Sequence, residues 1–275
     1  HGHHRRQRQM CIRDSAGTGV GKSLFMCHLA SSYLLQGLNV LYITLEMAEE
    51  RIAERIDANL LDVTMEDLHD MPQQLYEGKI TKLREKTQGQ LVIKEYPTAS
   101  AHSGHFKSLM NELALKKSFR PDVIFIDYLN ICASSRFKGG NISSYFYVKA
   151  IAEELRGLAV EFNVPIFSAT QTTRTGYVST DIGLEDTSES FGLPATADFM
   201  FALISNEELE ALGQMKVKQL KNRYNDPSIN RAFIIGVDRA KMRLYDVQQK
   251  AGEIVDANQV DEKEDAYNKF SDFKL

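Results

Sequence analysis

Cysteine, proline and long apolar runs are all scarce in this chain, and each shortage removes a class of protein. The three cysteines (Cys11, Cys27, Cys132) are scattered without metal-ligand spacing. That excludes a disulfide-stapled scaffold or a zinc finger and suits a reducing, cytosolic setting. No apolar run approaches the roughly 18 residues of a membrane helix. The basic N-terminus is not followed by the apolar stretch of a secretory signal, so no membrane partner is expected. A basic excess is missing too: 33 Lys and Arg stand against 37 Asp and Glu, a net charge of −4. No global field therefore draws nucleic acid, although a local basic surface stays open. What remains is ordinary for a globular protein, with 43% apolar and 25% charged residues.

Residues 1–15, HGHHRRQRQMCIRDS, lack the buried apolar strand that precedes a phosphate-binding loop. The expectation is a non-native or disordered segment outside the domain. Beyond it the pattern is regular. Leu24, Cys27, Ala30 and Leu34 recur at helical spacing up to Gly37, and further amphipathic helices are expected over 47–61, 105–117 and 148–159. Short apolar runs at 40–45, 91–95, 123–126, 165–170, 198–204 and 215–220 read as strands. The segments 232–237 and 242–247 read as a closing antiparallel pair. Alternating strands and helices predict an α/β fold, a mostly parallel twisted sheet covered by helices on both faces with a C-terminal antiparallel extension. The domain is expected over 16–247. Residues 248–275, with seven acidic and four basic side chains, are expected to form a flexible acidic tail.

The segment AGTGVGKS at 16–23 carries the chemistry. Gly17, Gly19 and Gly21 allow a turn whose N–H groups, those of Thr18 and Val20 among them, face phosphate oxygens. Lys22 supplies a cation to the β- and γ-phosphates, and Ser23 a hydroxyl to Mg²⁺. The helix that starts at Lys22 adds its positive end. ATP or another nucleoside triphosphate and Mg²⁺ are the expected cofactors.

Asp127 ends the apolar run VIFID and so reaches the carboxyl edge of the sheet, where it suits the Mg²⁺ shell; alone, it also suits a turn or cap. Glu46 ends VLYITLE and is expected to leave the strand beside the phosphate-loop strand. There its carboxylate would orient or deprotonate the attacking water, or it merely favours a helix start. Gln171 ends PIFSATQ, where its amide would sense a γ-phosphate. Two long segments, 132–145 and 172–196, hold Arg136, Lys138, Gly139, Asn141 and Arg174. They suit either contact with a nucleic-acid backbone or plain solvated loops. Lys221 and Arg223, two positions apart on a strand, share one face. They are either a solvated face or an arginine-finger pair reaching a neighbouring subunit's phosphate.

In this order the elements resemble the RecA-like motor domain of DnaB-type replicative helicases, a P-loop NTPase core. The stretches NVLYITLEMAEE, RIDANLLDV, VKAIAEELRGLAVE, GLPATADFM and KQLKNRYND support this from about Ala16 to Val247. The resemblance implies that Glu46 is the catalytic base, Gln171 the γ-phosphate sensor, and Lys221 and Arg223 the trans-acting pair. It also implies a homohexamer with single-stranded DNA in its channel, 5′–3′ movement, and a primase and a loader as partners. A RecA-type recombinase, a clock-type ATPase and an inactive nucleotide-binding fragment share parts of the pattern and stay open as alternatives.

Overall fold

The structure, a computed structural model, describes residues 10–15 (as backbone), 21–137, 142–171, 195–225 and 231–248. The expected acidic tail lies outside these residues, apart from its first position. A nine-stranded sheet forms the centre, in the order β3-β2-β4-β5-β1-β6-β7-β8-β9. Its strands are β1 (Met10–Ser15), β2 (Val40–Thr44), β3 (Leu91–Glu95), β4 (Val123–Asp127) and β5 (Ile166–Gln171), then β6 (Phe199–Ile204), β7 (Gln214–Asn222), β8 (Ala232–Asp238) and β9 (Arg243–Asp246). From β3 to β6 all neighbours pair parallel, whereas β7, β8 and β9 each pair antiparallel with the strand before.

Alternation along the strands sorts the core into two layers. On β2 and β4, Leu41, Ile43, Ile124 and Ile126 pack under α5 (Ser103–Lys117) and α6 (Ser144–Phe162). Val40, Tyr42, Val123 and Phe125 pack on the other face, under α1 (Lys22–Leu35) and α2 (Glu49–Leu61). On that face the Tyr42, Phe125 and Phe167 rings stack across β2, β4 and β5 at 5.8 and 5.2 Å. The same period of two puts Asp127 and Gln171, at the ends of β4 and β5, on the α1 face. Strand parity thus delivers an acid and an amide to the start of α1. Among the described residues three further α-helices lie at the surface: the long α4 (Gln73–Lys86) and the five-residue α3 (Met65–His69) and α7 (Glu207–Ala211).

The sequence expectation needs two corrections. Residues 10–15 were expected outside the domain, yet they form β1 at the middle of the sheet. Each of them pairs with β5 and most of them also with β6. The physical reason is that pairing uses the backbone. A missing strand between β5 and β6 would leave buried N–H and C=O groups unmatched on both neighbours. Second, β2 is not beside β1, because β4 and β5 stand between them. Glu46 therefore approaches the phosphate loop from two strands further away than expected.

Candidate active site

The cleft opens at the carboxyl edge of the parallel strands, where α1 begins. Gly21 caps α1 at φ 112°, a left-handed conformation that favours glycine. A Cβ there would also come 3.3 Å from Met215 Cε. Gly21 O accepts the first helical bond, from Phe25 N at 2.8 Å. Gly17, Thr18, Gly19 and Val20 lie outside the described residues. Lys22 follows, only 9% exposed, with Nζ 5.2 Å from the centre of the Tyr128 ring, within cation–π range. Burial pulls its pKa below the usual lysine value, while the Glu46 and Asp127 carboxylates oppose that pull.

Asp127 is fully buried. Its Oδ2 accepts a hydrogen bond from Tyr42 OH at 2.9 Å. Oδ1 has no hydrogen-bond partner among the described residues. Burial raises the pKa of this carboxyl, against the opposing effects of the Ser23 and Tyr42 hydroxyls, Lys22 and Arg55. Tyr42, buried beside it, is held far above the usual tyrosine value by burial and by the neighbouring Asp127 charge. A buried carboxylate oxygen without a donor is costly unless something cationic completes it. The Asp127 carboxylate and the Ser23 hydroxyl near it form the hard-oxygen set that suits Mg²⁺, an ion that keeps several waters and takes few protein ligands.

Glu46 is exposed at the mouth of the cleft, next to Met47. A tight turn holds it there: Thr44 Oγ1 donates to Met47 O at 2.7 Å and accepts from Met47 N at 3.1 Å. Leu45 is fixed on both sides, its N–H to Asp127 O and its carbonyl to Thr98 Oγ1. Gln171 Nε2 donates to Tyr128 OH at 3.2 Å. One tyrosine therefore touches both the lysine and the amide. The cleft measures about 350 Å³ and brings together Lys22, Ser23, Glu46 and Gln171 with Arg55, Arg239 and Met242. The sequence reading missed these last three, along with Tyr42 and Tyr128. Tyr128 adjoins Asp127, and that adjacency was the one available signal. Arg55 lies mid-helix on α2 and Arg239 in a turn, where nothing in the sequence marks them.

The Lys221 and Arg223 pair lies elsewhere. Strand β7 runs antiparallel to β6 and pairs Asn222 with Phe199, the first residue of β6. Lys221 and Arg223 therefore stand at the amino edge of the parallel strands, across the sheet from Lys22. Arg223 Nη1 is 2.8 Å from Asp198 Oδ1, and Arg156 Nη1 is 2.7 Å from the same oxygen. Arg223 Nη2 also donates to Ala195 O at 3.3 Å. Burial lowers the Lys221 pKa, and the Arg223 charge adds to the effect. Of the loop residues, Arg136 is paired with Glu153 of α6. Lys138, Gly139, Asn141 and Arg174 lie outside the described residues.

Residues 6–249 match the family described as the DnaB-like helicase C-terminal domain. The chain belongs to this family. The DnaB-like replicative helicase of Enterobacteria phage T4 is 45% identical over 262 residues, which cover 92% of this chain and 55% of that relative. The chain thus spans about half the length of this DnaB-like relative. A solved DnaB-like replicative helicase, described with its interactions with primase, superposes at a TM-score of 0.71 with 16% identity. It covers 89% of this chain and 58% of its own. A solved ATPase domain gives the same TM-score at 17% identity, covering 88% of this chain and 86% of its own. At such identities these two structures establish the fold, a RecA-like α/β core.

Proposed function

We propose that this chain is the motor of a ring-shaped replicative helicase. It binds ATP or another nucleoside triphosphate in the cleft at Lys22, hydrolyses it at subunit boundaries, and moves 5′–3′ along single-stranded DNA. Family membership supports the reaction class, because DnaB-like helicases are NTP-hydrolysing DNA helicases. The observation that carries the ring is the placement of Lys221 and Arg223 at the sheet edge opposite Lys22. Side chains there cannot reach their own cleft, so a phosphate they contact belongs to another subunit. A closed head-to-tail ring is the assembly that satisfies every cleft in this way. We take Met10–Asp246 as one folded unit of that ring.

The roles follow from position. Lys22 and the N–H groups of 17–21 would hold the phosphates, as the start of a helix favours. Ser23 and Asp127 would hold Mg²⁺, which when bound neutralises charge on the transferred phosphoryl group. Glu46, exposed at the cleft mouth, would orient the attacking water and accept its proton. Gln171 would exchange its bond to Tyr128 for one to the γ-phosphate, and the segment 172–194 would follow that exchange. Arg136, Lys138, Gly139, Asn141 and Arg174 would then face the DNA backbone. A homohexamer, a primase and a loader complete the expected assembly; primase is named with the solved relative.

ATP turnover by the chain, with and without single-stranded DNA, tests the motor. Unwinding of a 5′-tailed fork by protein extended to the length of its relatives tests the helicase. Filament formation with strand exchange and no unwinding would replace this reading with a recombinase.

A further inference from the structure

The turn between β8 and β9 brings Arg239 and Met242 into the nucleotide cleft. It extends from the edge strand of the sheet, and it is tied to α2 by side chains that have no part in the proposed hydrolysis. Asn59, on α2 and 7% exposed, donates one amide hydrogen to Met242 O and the other to His28 Nδ1 at 3.0 Å. Leu244 N points at the same ring nitrogen from 3.3 Å. Two N–H groups facing Nδ1 make it the acceptor, so the proton of the neutral ring sits on Nε2. Asp62, at the end of α2, adds ion pairs to Lys241 at 3.1 Å and Arg243 at 2.8 Å. Met65 N donates to Ala240 O at 2.8 Å.

Within this clasp Met242 has φ 52°, a left-handed conformation that an unbranched non-glycine residue keeps only where its surroundings hold it. The Asn59 bond is made to the carbonyl of that same residue. Arg239, three residues earlier, has Nη1 4.0 Å from the Cβ position of Gly21. Residue 59 therefore sets a backbone conformation whose neighbours line the cleft.

We propose that Asn59 is a positioning residue for nucleotide binding: with His28 and Asp62 it latches the Arg239–Met242 turn against the cleft. The turn comes from the antiparallel side of the sheet, away from Asp127 and Gln171. It therefore grips the part of the nucleotide beyond the phosphates, the base and ribose. The inference rests on the nucleotide reading of the cleft, and its test separates the two.

The test measures binding of ATP and of inorganic tripolyphosphate, which fills the phosphate cradle alone, to wild type, Asn59→Ala and Asp62→Ala by calorimetry. Asn59→Ala is expected to weaken ATP about tenfold, a step of about 1.4 kcal/mol, and to leave tripolyphosphate within about twofold. In turnover KM rises while kcat holds. Asp62→Ala, a change at an exposed carboxylate, moves ATP the same way by about threefold, since exposed ion pairs contribute less. Should Asn59→Ala lose the fold, Asp62→Ala decides alone. Equal weakening of both ligands, or no change in either, overturns the latch. If wild type binds neither ligand, the nucleotide reading fails and the latch with it.

Discussion

The two edges of the parallel strands hold opposite chemistry. At the carboxyl edge a lysine, an orphaned carboxylate oxygen, an exposed glutamate and an amide surround one cleft. At the amino edge two arginines converge on a single buried aspartate, Asp198, with Lys221 nearby. The first edge is rich in groups that bind and activate a ligand. The second carries arginines held in an ion pair, and under the proposed function these would stabilise charge on a neighbour's nucleotide. In the proposed ring each edge would be half of a site, and the sheet between them would keep the halves of one chain apart.

The largest effect comes from breaking the first edge. Lys22→Ala is expected to reduce ATP turnover to background, because it removes the buried cation at the phosphate cradle. A phosphate-release assay reads this directly. Turnover above about a tenth of wild type would remove Lys22 from the site.

The second edge tests the separation. Arg223→Ala is expected to lower turnover by about a thousandfold or more in assembled rings, the range of an arginine finger, and to leave unassembled chains unchanged. Mixing separates the halves further. Lys22→Ala and Arg223→Ala chains, each inactive alone, should regain activity in mixed rings. In about a quarter of random boundaries an intact cleft from one variant meets an intact Arg223 from the other. If mixing restores nothing, or if chains and rings respond equally to Arg223→Ala, the two halves do not belong to neighbours.

Most of the carboxyl edge was legible in the sequence, because its residues end apolar runs whose period fixes their direction. Asp127 and Gln171 follow from alternation along β4 and β5, and Lys22 from the glycine-rich loop. Sheet order was not legible, because pairing partners are not a local property of a strand, and so Glu46 was set beside the wrong neighbour. Strand β1 was missed for a related reason: its place is made by backbone pairing to β5 and β6, and its sequence lacks an apolar signature. Tyr42 and Tyr128 act across strands, which no spacing reveals. The amino-edge pair was visible in KQLKNRYND only as two cations on one strand. Its distance from Lys22 needed the antiparallel turn of β7.

A smaller effect sharpens the first edge alone. Tyr128→Phe keeps the ring beneath Lys22 and removes the hydroxyl that Gln171 contacts. One net hydrogen bond is worth about 1 kcal/mol, so kcat is expected to change about fivefold, with ATP affinity nearly unchanged. A loss of affinity at constant kcat would assign Tyr128 to binding through Lys22 instead of to the Gln171 contact.

The smallest effect concerns stability and sets Asp127 against its own function. Burial raises its pKa in the folded chain above the unfolded value. The proton is held more tightly by the fold, so the stability linked to it is present at low pH and is lost as pH rises through the folded value. Above that, folding buries a carboxylate with one unsatisfied oxygen. Asp127→Asn removes that charge. Without Mg²⁺ and nucleotide the variant should unfold at higher temperature than wild type at pH 8, by roughly 2–4 °C for each kcal/mol relieved. The gap should narrow as pH is lowered. With both ligands present the order should reverse, because only wild type gains the stabilisation of binding. A gap that stays constant with pH would mean that the charge of Asp127 is not what the fold resists. A variant less stable than wild type at pH 8 would mean that the carboxylate is already satisfied in the free chain.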